Sequence, residues 1–257
     1  MNGVLVDITR CVGCGSCAVA CKLYNGLNWD ETSPAIGEKA ALSAANWTAV
    51  RTYGMERNKQ SVLRFVKNQC LHCLDPACAS ACFAGAFRKT PEGPVVYNER
   101  ICVGCRYCML ACPFSIPKYE WDALFPRVRK CQMCYSRVKE GEMPACVSVC
   151  PTQALEFGKR EELLQEARAR IAAEPNKYVN HIYGEKEYGG TSWLYISDVP
   201  FEQIGFRTNV STESVPHWTG RVTRWTLPVA AGWTAVLTAL YLFTRRRAEI
   251  QEGSEGG

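Results

Sequence analysis

Short apolar runs bounded by turn residues recur along the first two thirds of the chain, a pattern that strands need and helices do not. Val4-Leu5-Val6 opens the series, Val95-Val96-Tyr97 repeats it, and Ala86-Phe87-Arg88 and Ala154-Leu155-Glu156-Phe157 add two more. Pro91, Gly93 and Pro94 fall between the second and third of these in space along the chain, so residues 87–97 predict a hairpin. Residues 47–53, 61–66 and 193–196 predict further strands. The period changes at 159–174, where Leu163, Leu164, Ala167 and Ile171 recur at helical spacing against Glu161, Glu162, Glu166, Arg168 and Arg170. That stretch predicts an amphipathic helix packed by its apolar side.

Residues 225–243 differ again: 19 residues carry no charge, and at the helical rise they cover ~28 Å, close to the hydrocarbon thickness of a bilayer. Trp218, Trp225, Tyr241 and Phe243 lie near the ends, as at membrane interfaces. Pro228, Gly232 and the threonines lower the hydrophobicity, and a buried soluble helix is the alternative. Arg245-Arg246-Arg247 follow at once and favour a single membrane anchor. By the positive-inside tendency that cluster stays cytoplasmic and puts the rest of the chain on the periplasmic face, a bias blunted by Arg221 and Arg224. Residues 1–9 show no secretory signal, so such a placement implies export with a signal-bearing partner.

Composition adds one decisive fact. The chain has 257 residues, 47% hydrophobic and 21% charged, which is globular, but it also holds 16 cysteines in four groups of four with none left over. The first reads Cys11-Val-Gly-Cys14-Gly-Ser-Cys17-Ala-Val-Ala-Cys21, and the third Cys102-Val-Gly-Cys105-Arg-Tyr-Cys108-Met-Leu-Ala-Cys112-Pro113. Both are the bacterial ferredoxin run, in which one tight loop wraps three corners of a [4Fe-4S] cubane and the fourth cysteine typically ligates the other cluster of a pair. Gly13, Gly15 and Gly104 permit the close backbone approach. The second group, Cys70, Cys73, Cys78 and Cys82, widens the middle gap to four residues; the fourth, Cys131, Cys134, Cys146 and Cys150, inserts eleven. Both keep the CxxC start and the CxxxC end. Structural zinc and disulfides compete for such cysteines, but one tetrahedral ion does not use so tight a run, and cysteines three apart on one loop pair poorly.

The formal charge of +5 invites thoughts of nucleic acid or acidic lipid, yet it counts cysteines as neutral. With about −2 for each of four oxidised centres and its thiolates, the balance falls to roughly −3. The expectation is no nucleic-acid partner. Arg10, Lys22, Arg100, Arg106, Arg129 and Lys130, all near cysteines, partly offset buried cluster charge, although each taken singly reads as a solvated surface charge.

With these motifs the sequence resembles the four-cluster electron-transfer subunits of membrane-bound bacterial oxidoreductases, such as the iron-sulfur subunit of periplasm-facing nickel-iron hydrogenases and the beta subunit of respiratory formate dehydrogenase. The likeness runs through Cys105-Arg-Tyr-Cys108-Met-Leu-Ala-Cys112-Pro-Phe-Ser-Ile-Pro-Lys118-Tyr119, Pro144-Ala-Cys146 to Cys150-Pro-Thr, Gly158-Lys-Arg-Glu-Glu-Leu163, Tyr183-Gly-Glu-Lys-Glu187, Gly189-Gly190-Thr191 and the anchor. It covers essentially the whole chain and is specific for the superfamily, not for which complex. Phe83 stands where proline often follows. The resemblance implies an α+β fold of two bacterial-ferredoxin-like dicluster modules in nested pairing, with insertions, plus one C-terminal transmembrane helix. It divides the chain into a cluster domain at 1–158 with 22–69 inserted, a helix and irregular tail at 159–224, the anchor at 225–243 and a polar tail at 244–257. It also implies that Cys11, Cys14 and Cys17 share a cluster with Cys150, and Cys131, Cys134 and Cys146 with Cys21. The inner sets would be Cys70, Cys73 and Cys78 with Cys112, and Cys102, Cys105 and Cys108 with Cys82. Spacing alone equally allows sequential pairing.

The chain contains no phosphate-cradling GxGxxG, no HExxH and no nucleophile constellation. His72 lies inside a cysteine loop and reads as a local hydrogen-bonding residue, while His181 and His217 belong to no motif. The expected function is therefore a relay of single electrons through four [4Fe-4S] clusters, with catalysis left to another subunit. The expected partners are a catalytic oxidoreductase subunit, an integral membrane quinone- or haem-binding subunit and the bilayer. A freely diffusing polyferredoxin is the alternative, and an enzyme with an open iron site is a third that four complete ligand sets disfavour.

Overall fold

The computed structural model describes residues 1–29, 33–57 and 60–255. The chain divides into two compact units, Met1–Val215 and Pro216–Gly257. In the first, β1 (Asn2–Asp7) leads through a 3-10 turn into the first cysteine loop and α1 (Ser16–Asn25). β2 (Ile36–Gly37), β3 (Ala49–Arg57) and β4 (Gln60–Asn68) then form a sheet in that order, with Val50 opposite Lys67 across the antiparallel β3–β4 ladder. After α2 (Ala77–Ser80), β5 (Phe87–Lys89) and β6 (Val95–Tyr97) make the expected hairpin, its ends held by the Phe87 and Tyr97 rings 4.8 Å apart. α3 (Tyr107–Ala111) carries the third group. β7 (Lys118–Tyr119) and β8 (Val128–Arg129) form a short antiparallel ladder, and α4 (Tyr135–Lys139) and α5 (Ala145–Ser148) the fourth group's helices. α2 and α5 each start after a proline, Pro76 and Pro144, whose missing N–H costs nothing at a helix start.

β9 (Leu155–Lys159), α6 (Arg160–Ala173) and β10 (Trp193–Ile196) complete this unit. The sheet order is β10-β1-β9, with β9 antiparallel and β10 parallel to β1. A central strand covered on both faces must be apolar throughout, which is why β1 reads Val4-Leu5-Val6 without alternation. One face, Val4, Val6, Trp193 and Tyr195, meets Tyr183, Phe201 and Phe206. The other face, Leu5, Leu194 and Ile196, receives Leu163, Leu164, Ala167 and Ile171 of α6. The helix and the strands named from apolar patterning are present; the parallel β1–β10 pairing is what patterning did not indicate.

α7 (Val215–Glu255) forms the second unit and runs unbroken through Pro228 and Gly232. Val215–Arg247 is long and apolar enough to cross a membrane, with a mean hydropathy of 1.5 in its most apolar window. Its large apolar side chains, Leu237 and Leu240 among them, are exposed, unlike those of a soluble core helix. The threonines return their hydroxyls to the helix itself: Thr234 Oγ1 donates to the Ala230 carbonyl at 2.8 Å and Thr244 Oγ1 to that of Leu240 at 3.0 Å. Their polarity is thereby spent inside the helix.

Candidate metal centres

All sixteen cysteines are free thiols. Each of the four groups begins with the same backbone device: the residue two after the first cysteine is left-handed, Gly13 at φ 71°, His72 at 51°, Gly104 at 70° and Met133 at 55°. That turn aims its own N–H back at the cysteine, giving Gly104 N to Cys102 Sγ at 3.5 Å and Met133 N to Cys131 Sγ at 3.3 Å. The two groups with irregular spacing thus build the same loop as the two consensus runs. His72 and Met133 hold a conformation that favours glycine because both are wholly buried, and the His72 Nδ1 accepts the Val95 N–H at 2.8 Å. This is the local hydrogen-bonding role expected of His72, and burial pushes its imidazole well below the ordinary range, leaving it neutral. Gly13 and Gly15 have a second reason to be glycine: a Cβ on Gly13 would lie 2.3 Å from the Phe65 ring, and one on Gly15 2.1 Å from Ile36. The sheet of residues 36–68 therefore sits directly on the first loop.

A matching device precedes two of the loops. The Asp7 carboxylate accepts the Thr9 N–H at 3.0 Å, and Asn98 Oδ1 accepts the Arg100 N–H at 3.1 Å. Each closes a 3-10 turn that delivers the first cysteine four residues later, Cys11 or Cys102.

Tertiary packing brings the first group to the fourth and the second to the third, since α1 packs on α5 and α2 on α3. Cys11, Cys14, Cys17 and Cys150 line one cavity, with Lys67 beside them. Cys131 and Cys134 both feel the charges of Cys21 and Cys146. Cys73 feels Cys70, Cys112 and Cys78, while Cys108 feels Cys102, Cys82 and Cys105. Three pairs of thiols that act on each other join these neighbourhoods end to end: Cys17 with Cys146, Cys131 with Cys70, and Cys78 with Cys108. Cys14 and Cys105, in the first and last neighbourhoods, are exposed.

Burial dominates the thiols. It pushes Cys17, Cys78 and Cys108 up to about 12 and Cys134 to about 11. Exposed Cys14 goes the other way, held down by its hydrogen bond with Ser16 Oγ at 3.4 Å. Thiols buried this way yield their protons to a metal and not to water, so metal binding and proton release are coupled. Among the described residues no three His, Cys, Asp or Glu side chains are gathered to hold one metal ion. Free thiols, inward N–H groups and buried ammonium groups together fit a polynuclear thiolate-bound centre.

The basic residues near the cysteines behave unevenly. Lys22 and Lys130 are buried; Lys22 Nζ donates to the carbonyls of Asn28 at 2.7 Å and Ala45 at 3.0 Å, and Lys130 Nζ to that of Cys131 at 2.9 Å. Arg10 instead pairs with Glu156 at 3.1 Å and Arg129 with Glu120 at 2.6 Å, while Arg106 stacks 5.0 Å from the Trp121 ring. Sequence reasoning missed two further lysines, buried Lys67 and half-buried Lys89. Lys89 Nζ donates to the His72 carbonyl at 2.9 Å, and burial lowers it to about 8. Neither lysine lies in a cysteine motif, and only the register of β4 and β5 delivers them. His181, which belongs to no motif, meets Glu187 at 2.7 Å, away from the cysteines.

Residues 61–160 match the family of 4Fe-4S dicluster domains. A protein of Nitratidesulfovibrio vulgaris strain Hildenborough is 43% identical over 255 residues, 96% of this chain and 68% of that one. The hydrogenase-2 operon protein HybA of Escherichia coli O157:H7 is 35% identical over 276 residues, 91% of this chain and 83% of its own. The nitrate-inducible formate dehydrogenase iron-sulfur subunit of Escherichia coli K12 is 35% identical over 265 residues, 98% of this chain and 88% of its own.

Proposed function

Because the chain belongs to the family of iron-sulfur subunits of hydrogenase and formate dehydrogenase complexes, we propose that it relays single electrons between a catalytic subunit and a quinone- or haem-binding membrane subunit. Four [4Fe-4S] centres would supply the one-electron chemistry. Cys11, Cys14, Cys17 and Cys150 hold the first, Cys21, Cys131, Cys134 and Cys146 the second, Cys70, Cys73, Cys78 and Cys112 the third, and Cys82, Cys102, Cys105 and Cys108 the fourth.

The observation that carries this reading is the end-to-end order of thiol neighbourhoods, with an exposed cysteine, Cys14 or Cys105, in each end set and none in the two middle sets. A storage or structural role has no use for such a file. The loops hold each centre with backbone N–H groups aimed at sulfur, and the buried lysines set the local field, which together tune reduction potential. The long apolar helix, with Arg245, Arg246 and Arg247 at its end, supports a single-pass anchor with the cluster unit on the periplasmic side. The matching test is Cys105→Ser in the intact complex. Quinone reduction should fall at least tenfold while the partner's dye-linked activity stays near wild type; equal loss of both would mean that the cysteine serves structure alone.

A further inference from the structure

Lys67 is the least expected charge in the molecule. It stands at the end of β4, buried, with its ammonium 2.9 Å from Gln69 Oε1 and 4.4 Å from the centre of the Trp193 ring. Gln69 is held in turn by Tyr195, whose hydroxyl accepts from Nε2 at 2.6 Å and donates to the Lys67 carbonyl at 3.1 Å. Among the described residues no carboxylate lies within ion-pair distance of the ammonium. A buried charge left without a counter-charge is strongly destabilising, so something in the loaded protein must supply the negative charge.

The groups that can do so are thiolates. Lys67 lines the cavity of Cys11, Cys14, Cys17 and Cys150 of the first set, and its ammonium lies over the Trp193 ring, which packs in one core cluster with Cys146 of the second set; the sulfurs that act on it are those of Cys146, Cys17, Cys131 and Cys21. Lys130 and Lys89 differ, being tied to backbone carbonyls beside the third set.

Resting on the four-centre reading above, we propose that Lys67 is the shared counter-cation of the first two centres and raises the reduction potentials of both. Each centre takes one electron from its donor and passes from about −2 to about −3 with its thiolates. A fixed positive charge stabilises the more negative state, so removing it makes both centres harder to reduce.

The test uses the anaerobically isolated complex carrying wild-type, Lys67→Met, Lys67→Gln and Lys67→Arg chains. Iron and acid-labile sulfide are counted, and a dithionite titration is followed by electron paramagnetic resonance. With wild-type iron content, the Met and Gln variants should lower two of four potentials by at least tenfold in the reduction equilibrium, 59 mV for a one-electron couple. The other two should stay put, and Arg should restore most of the shift. Cys14→Ser, which removes a ligand of the first set, should erase one of the two moving signals. Failure of both neutral variants to load the first two sets while Arg loads fully supports the same role. Unmoved potentials, a uniform shift of all four, an Arg variant displaced as far as Met, or failure of all three to load overturns the proposal and leaves the relay reading standing. A wild-type chain with far fewer than about sixteen irons overturns both.

Discussion

Asp7 and Asn98 close equivalent turns but in unequal surroundings. Asn98 supplies a cap on an exposed turn, so Asn98→Ala should cost about 1 kcal/mol. Asp7 is fully buried and also accepts from the Tyr178 hydroxyl at 2.9 Å and the Thr9 hydroxyl at 2.6 Å. Asp7→Ala strands those donors and should cost more, by the full desolvation of a buried donor, about 1–3 kcal/mol further. Thermal midpoints followed by circular dichroism should rank wild type above Asn98→Ala and that above Asp7→Ala. At this scale the cysteine loops were legible, because the spacing that builds them is local. The left-handed backbone at His72 and Met133 was not, since neither residue type advertises it and only burial enforces it. The Asx cap four residues before Cys11 and Cys102 was a readable signal that spacing arguments pass over.

Among the elements, short apolar runs gave away the strands, and the amphipathic period gave away α6, because each needs only its own residues. Pairing between distant segments left no such mark. β10 lies parallel to β1 across nearly the whole cluster unit, with Leu194 beside Leu5. Leu194 is fully buried between that strand and α6, so Leu194→Ala should cost about 2–5 kcal/mol, read as a lower thermal midpoint of the intact chain. The segment 22–69, inserted as far as the cysteine pattern is concerned, is the source of Lys67 and of the Phe65 and Ile36 contacts that press on the first loop. What looked like decoration between motifs supplies part of the site.

For the whole molecule, formal charge misleads in the direction the cysteines predict, and hydropathy does not: the uncharged stretch at 225–243 falls within one continuous helix. Alkaline carbonate strips subunits held to a membrane only through other proteins, so the wild-type chain should remain in carbonate-washed membranes. Placing Arg at both Val236 and Leu237 adds about 2.5–3.5 kcal/mol each near the middle of the span and should move the chain into the wash; retention of that variant would assign the helix to protein contacts.

The seating of β1 between β9 and β10 bears on how the protein is made. β1 leaves the ribosome well before both of its neighbours and pairs with them only after residues 159 and 196 have been synthesised. Until then the leading cysteines are exposed on an unfinished nascent chain. On the ligand sets proposed above, the first two centres lack their full sulfurs until Cys146 and Cys150 have been made, and a chaperone that shields the early thiols from oxygen during that interval would decide the yield of intact protein.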